Sequence, residues 1–138
     1  MSKKNKVRGA ELPNTKLSFS FEYYDISKDS IFCLSIWERE EIKQTLSRLK
    51  DICSKTFNEL RVGRGVYHFN PVIWEKTIYP QGFPPPIESL NELEPFHFAI
   101  LGVNNQQARV FGAYAQSTFY IVWFDYDHSI WPVSKKNT

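Results

Sequence analysis

The sequence is poor in residues that staple a fold or hold a metal. It has two cysteines, Cys33 and Cys53, and three histidines, His68, His97 and His128. Their spacing forms no metal-binding signature. Glycine is scarce at six residues, and no Gly-rich phosphate loop, Gly-x-Ser-x-Gly or His-Glu-x-x-His is present. Phosphate-loop, serine-hydrolase and zinc-protease chemistry therefore have no basis in the chain. No apolar run approaches the roughly 18 residues of a spanning helix, and no signal peptide is recognisable. The expectation is a cytoplasmic protein with reduced thiols and no membrane partner.

Basic charge is missing from the body. The net charge of +2 hides this, because six basic residues lie at the two ends: Lys3, Lys4, Lys6, Arg8, Lys135 and Lys136. Residues 9–134 hold 11 basic against 15 acidic residues. A global positive field of the kind that draws in nucleic acid is excluded. A local patch is not: Arg61, Arg64 and His68 lie within Arg61–Asn70, which contains no carboxylate.

Aromatic residues are abundant, at 16% of 138 residues. Each buries a large area, so few are needed to fill a core, and each also offers a ring for stacking. The length is that of one domain. The pattern predicts a flexible basic tail over 1–14, a single α+β domain over 15–134 and a short tail over 135–138.

Leu17–Tyr24 alternates as a half-buried strand. Ser35 and Glu38 fit a capping box for a helix from Ile36 to Cys53, with Ile42, Leu46, Leu49 and Cys53 inward. Thr56 and Glu59 fit a second box for a short helix ending near Gly63. Val66–Pro86 is rich in proline and aromatics and reads as an ordered loop over the sheet, with a short strand in Tyr67–Ile73. Strands follow at Phe96–Val103, Ala108–Tyr114 and Ile130–Val133, separated by turns at Asn104–Gln107, Gln116–Ser117 and Tyr126–Ser129. Between them Thr118–Phe124 is apolar on both faces, as befits an interior strand. The predicted architecture is an antiparallel sheet of four to five strands against one long and one short helix, with the aromatic loop as an insertion.

The element order and the local pattern Ala108-Arg109-Val110-Phe111-Gly112, followed by Thr118–Asp125, resemble the RelE/ParE-type toxins of toxin–antitoxin modules. The likeness covers roughly residues 17–60 and 96–133. The chain differs in its acidic body and in the Val66–Leu93 insertion. The resemblance implies a small bacterial or phage protein that cleaves RNA without metal or cofactor, with RNA and an antitoxin-like protein as partners.

Such cleavage needs a base for the 2′-hydroxyl, a cation for the phosphate and an acid for the leaving oxygen. Arg109 is the only Lys or Arg between Lys76 and Lys135. A lone guanidinium among strands must find an anion, whether Asp125, Glu94 or a ligand phosphate. His97 alternates with Phe96 and Phe98, which puts it on an open sheet face if those rings are core. His128 follows Asp125-Tyr126-Asp127, where a carboxylate can orient it. The candidate catalytic set is Arg109, His97, His128 and Tyr120. Arg61, Arg64, His68, Tyr114 and Trp74 form the candidate binding set. The rival is a non-catalytic protein-binding or assembly module that uses the aromatics of Val66–Pro86.

Overall fold

The computed structural model describes residues 15–28, 32–62, 67–101 and 108–132. The basic N-terminal segment, Arg64, the expected Asn104–Gln107 turn and the residues after 132 lie outside these.

The domain is α+β. Five strands, β1 (Ser18–Ser20), β2 (Asn70–Pro71), β3 (Glu94–Ala99), β4 (Arg109–Ala115) and β5 (Thr118–Asp125), form one sheet in the order β1-β5-β4-β3-β2. All neighbours are antiparallel except β1, which runs parallel to β5 with Ser18 opposite Thr118. The interior position expected for Thr118–Phe124 is found. Gln116 and Ser117 make the β4–β5 turn with both φ values positive, at 50° and 65°. That geometry suits the twist of a two-residue hairpin, and here it is made without glycine. Ser117 N donates to the Tyr114 hydroxyl, which fixes the turn.

A bulge reshapes the strand pair. Phe111 lies opposite Trp123, but Gly112 lies opposite Ile121, so Val122 is the extra residue. In consequence Val122 and Trp123 both face the same core. Gly112 has to be glycine, because a Cβ there would run into the Tyr120 carbonyl and the Phe119 ring.

The first strand is shorter than its alternation suggests. It stops at Ser20, whose hydroxyl accepts from Glu22 N, and a turn closes with Tyr24 N donating to Phe21 O. Phe21 is left 54% exposed, while Phe19 and Tyr23 go to opposite cores. Ile130–Trp131–Pro132 is not a strand. Ile130 is fully buried, and its carbonyl accepts from Ile78 N.

The long helix, α1 (Arg39–Ile52), begins one turn later than expected. Leu34–Ile36 is a separate 3-10 turn, and Trp37 packs into the core. Glu38 rather than Ser35 is the N-cap, with its N–H bonded to Glu41 Oε1 at 2.9 Å. The inward stripe is rotated accordingly: Thr45, Leu49 and Ile52 are buried and Leu46 is 57% exposed. The short helix, α2 (Phe57–Val62), has the predicted reciprocal box, Thr56 N to Glu59 Oε1 and Glu59 N to Thr56 Oγ1. Cys33 and Cys53 are not joined by a disulfide. Among the described residues no helix is long and apolar enough to cross a membrane.

Both sheet faces are covered. On the helix side, Phe96, Phe98, Val110, Phe119, Ile121 and Phe124 meet Trp37, Leu49, Ile52 and Leu60. Each buried Phe or Ile there stabilises by roughly 1.5–3 kcal/mol relative to exposure. Phe111, Ala113, Val122 and Trp123 lie under Val72, Phe83, Ile87, Leu90 and Ile130 on the other side. The aromatic segment is therefore a lid on the sheet, as expected for a packed loop. Tyr79 stacks on Trp123 with centroids 4.8 Å apart, and Phe83 lies 5.6 Å from the same ring.

Candidate functional site

Strand alternation and the bulge put His97, Ala99, Arg109, Phe111, Trp123 and Asp125 on one face, the one covered by the loop. Arg109 opens β4, opposite Ala99 on one side and Asp125 on the other. Its Nε donates to His97 Nδ1 at 3.2 Å, and its Nη2 reaches the same nitrogen at 3.0 Å. Nη2 also donates to the His68 carbonyl at 3.2 Å. The backbone of His68 is held at φ 48°, outside the ordinary range for a non-glycine residue. Among the described residues, no carboxylate oxygen comes within ion-pair distance of Arg109.

His97 does not sit on an open face. It is 8% exposed, because its ring stacks on Phe111 at 5.1 Å and lies 4.8 Å from Trp131. The alternation was legible; the cover over that face comes from distant segments. Burial, then the Arg109 charge, then His128 push the His97 pKa down to about 3. Arg109, also 8% exposed, is lowered to about 10 by burial, while Asp125 acts to raise it. It therefore stays a cation at neutral pH.

Asp125 supplies the order at the C-terminal edge of the site. It is fully buried and accepts from Ser129 N at 2.9 Å and Ile130 N at 2.8 Å. Burial raises its pKa to about 6, with Asp127 adding to the rise and the two amides and Arg109 opposing it. These two bonds shape the 126–130 turn, which sets His128 at φ 66° and delivers Trp131 over His97.

Of the four proposed catalytic residues, Arg109 and His97 are in direct contact, and the charge of His128 bears on His97. Tyr120 does not join them. It shares the face but pairs with Ala113, four residues along β4 from Arg109, or about 13 Å at the usual strand rise. Its ring meets Tyr23 edge-on at 5.5 Å.

The binding set divides. His68 is exposed beside Arg109. Tyr114 lies on the opposite face, stacked on Phe57 at 3.8 Å. Arg61 is on that side too, with its guanidinium 5.1 Å from the Phe96 ring. Trp74 packs edge-on against Phe83 at 4.8 Å, as part of the lid. Arg64 is outside the described residues. Asp125 as anchor of the turn, and Trp131 as cover of His97, were not among the candidates. The dense Asp-Tyr-Asp-His run was the available signal for the first; reading 130–133 as a strand hid the second.

The chain matches no family model, no curated protein and no solved structure.

Proposed function

We propose that the chain acts on RNA in the manner of a toxin-module ribonuclease, through the Arg109 cluster. One observation carries this reading: the buried Arg109 guanidinium is held by His97 Nδ1 and the His68 carbonyl, from two separated segments, and among the described residues no carboxylate is in ion-pair contact with it. A desolvated cation whose bonds among the described residues go to a neutral imidazole and a carbonyl is prepared to take a phosphate oxygen as its anion.

The roles differ from those suggested by sequence. His97 is a positioning residue, since its Nδ1 lone pair holds the Arg109 fork. His128, half-exposed on its turn, is the group that takes the 2′-hydroxyl proton. The 2′-oxygen then bonds to phosphorus while the bond to the 5′-oxygen breaks. His68, exposed at the rim, returns a proton to that leaving oxygen. Tyr120 has no part in the step.

The test is cleavage of an end-labelled RNA by the purified chain in the presence of a chelator. The wild type should cut. His128→Asn should lose at least a hundredfold in rate with unchanged circular dichroism, because Asn tolerates the left-handed backbone there. Intact RNA with wild type, or an undiminished rate in the variant, overturns the proposal.

A further inference from the structure

We infer that the trough between Ile78 and Asn91 is a docking site for an extended, arginine- or lysine-bearing apolar segment of a partner protein. It shares no residue with the Arg109 cluster. Its volume is about 420 Å³, and Ile78, Tyr79, Pro80, Phe83, Pro84 and Pro85 supply its apolar walls. Rings and prolines in an open trough are the surface that recognises an extended polypeptide side by side. Ile78 is 49% exposed at the margin.

The trough is built rather than incidental. Asn91 grips the Phe83 backbone twice, accepting from its N–H at 2.8 Å and donating to its carbonyl at 3.0 Å. Gly82, at φ +100°, packs so tightly on Asn91 that a Cβ would collide with the amide oxygen. Tyr79 and Phe83 are both seated on the buried Trp123 ring. A wall fixed in this way loses little freedom when a partner binds.

Charge selects the occupant. From Thr77 to Phe96 the chain has no Lys, Arg or His. Glu88 lines the trough, Glu92 directly follows the lining residue Asn91, and both are exposed. The Asn91 amide is already committed to Phe83, which leaves Gln81 and Glu88 as the polar side chains of a mostly apolar lining. An extended segment with apolar residues in the trough and cations on this acidic rim satisfies both features.

The isotope-labelled 138-residue chain is titrated with a synthetic peptide in which two arginines flank a Pro-Leu-Pro stretch. Saturating amide shifts confined to the Ile78–Asn91 region are expected. Joint replacement Glu88→Lys and Glu92→Lys, at two exposed sites, should weaken binding tenfold or more. The same peptide with glutamates in place of the arginines should not bind. Absent shifts at millimolar peptide, shifts centred elsewhere, or equal binding of the glutamate peptide overturns the inference. Self-association in sedimentation that the same charge reversal abolishes would put a second copy in the trough, and that also overturns it.

Discussion

Arg109 and His97 share one nitrogen: both Nε and Nη2 of the guanidinium point at His97 Nδ1, at 3.2 and 3.0 Å. Arginine has only donors, so Nδ1 must accept and the ring proton must sit on Nε2. A proton on Nδ1 would break both contacts and place two cations together.

The first prediction follows from that geometry. In ¹⁵N-detected spectra His97 should show the Nε2–H tautomer and no titration between pH 5 and 8. His97→Phe keeps the ring stack on Phe111 but removes the acceptor. Two buried N–H groups then lose their partner, at a cost of about 1–3 kcal/mol in urea unfolding. A His97 resonance that titrates near pH 6.5 would show the ring to be accessible and the pairing wrong.

The pH dependence of stability contains a hidden cancellation. His97 is lowered from 6.5 to about 3, so its contribution is present above pH 6.5 and is lost as pH falls towards 3. Asp125 is raised from 3.8 to about 6, so its contribution is present below 3.8 and is lost as pH rises through 6. Between about pH 4 and 6 the unfolded chain holds its proton on the histidine and the folded chain on the aspartate. The two slopes oppose each other. Asp125→Asn should unmask the histidine: relative to wild type, stability falls on acidification by about 1.4 kcal/mol per pH unit. His97→Gln should unmask the aspartate, with stability rising on acidification at a similar slope. Denaturant midpoints at pH 4, 5 and 6 for the three proteins check the signs, and parallel lines would refute the linkage.

Much of the architecture could be read from local pattern. The Thr56/Glu59 box, the Gln116–Ser117 turn and the doubly apolar β5 are short-range features, decided by residues a few positions apart. The failures were long-range. Whether helix α1 buries Leu46 or Thr45 depends on where its first turn forms, and the packing of Trp37 on Phe124 sets that. Whether His97 faces water depends on Phe111, Trp131 and a loop from another part of the chain. The site was legible to the same extent. Alternation placed His97 with Arg109, but the bulge at Val122 set which β5 residues share their face.

That bulge has its own test. Gly112→Ala should be among the most destabilising single-methyl changes in the sheet, because the added carbon meets the Tyr120 carbonyl and lies 2.8 Å from Phe119 Cε2. Overpacking in a core costs about 1–3 kcal/mol, and backbone on one side leaves little room to relax. Thermal unfolding should show the loss. An unchanged midpoint would mean that β4 and β5 pair without the register shift.

Trp123 is the pivot of the loop-covered core, and its one polar atom reaches across the sheet. Nε1 donates to Asp25 Oδ2 at 3.0 Å, with both groups buried. Asp25→Ala removes the acceptor but leaves the indole N–H inside, which costs about 1–3 kcal/mol. Trp123→Phe alone leaves a buried carboxylate short of a donor and thins the stack under Tyr79 and Phe83. In the double variant the polar penalty disappears from both sides, so its loss should be smaller than the two single losses added together. Urea unfolding of all four proteins measures that coupling directly. Strict additivity would mean that the bond across the sheet contributes nothing, and that Trp123 is held by its ring contacts alone.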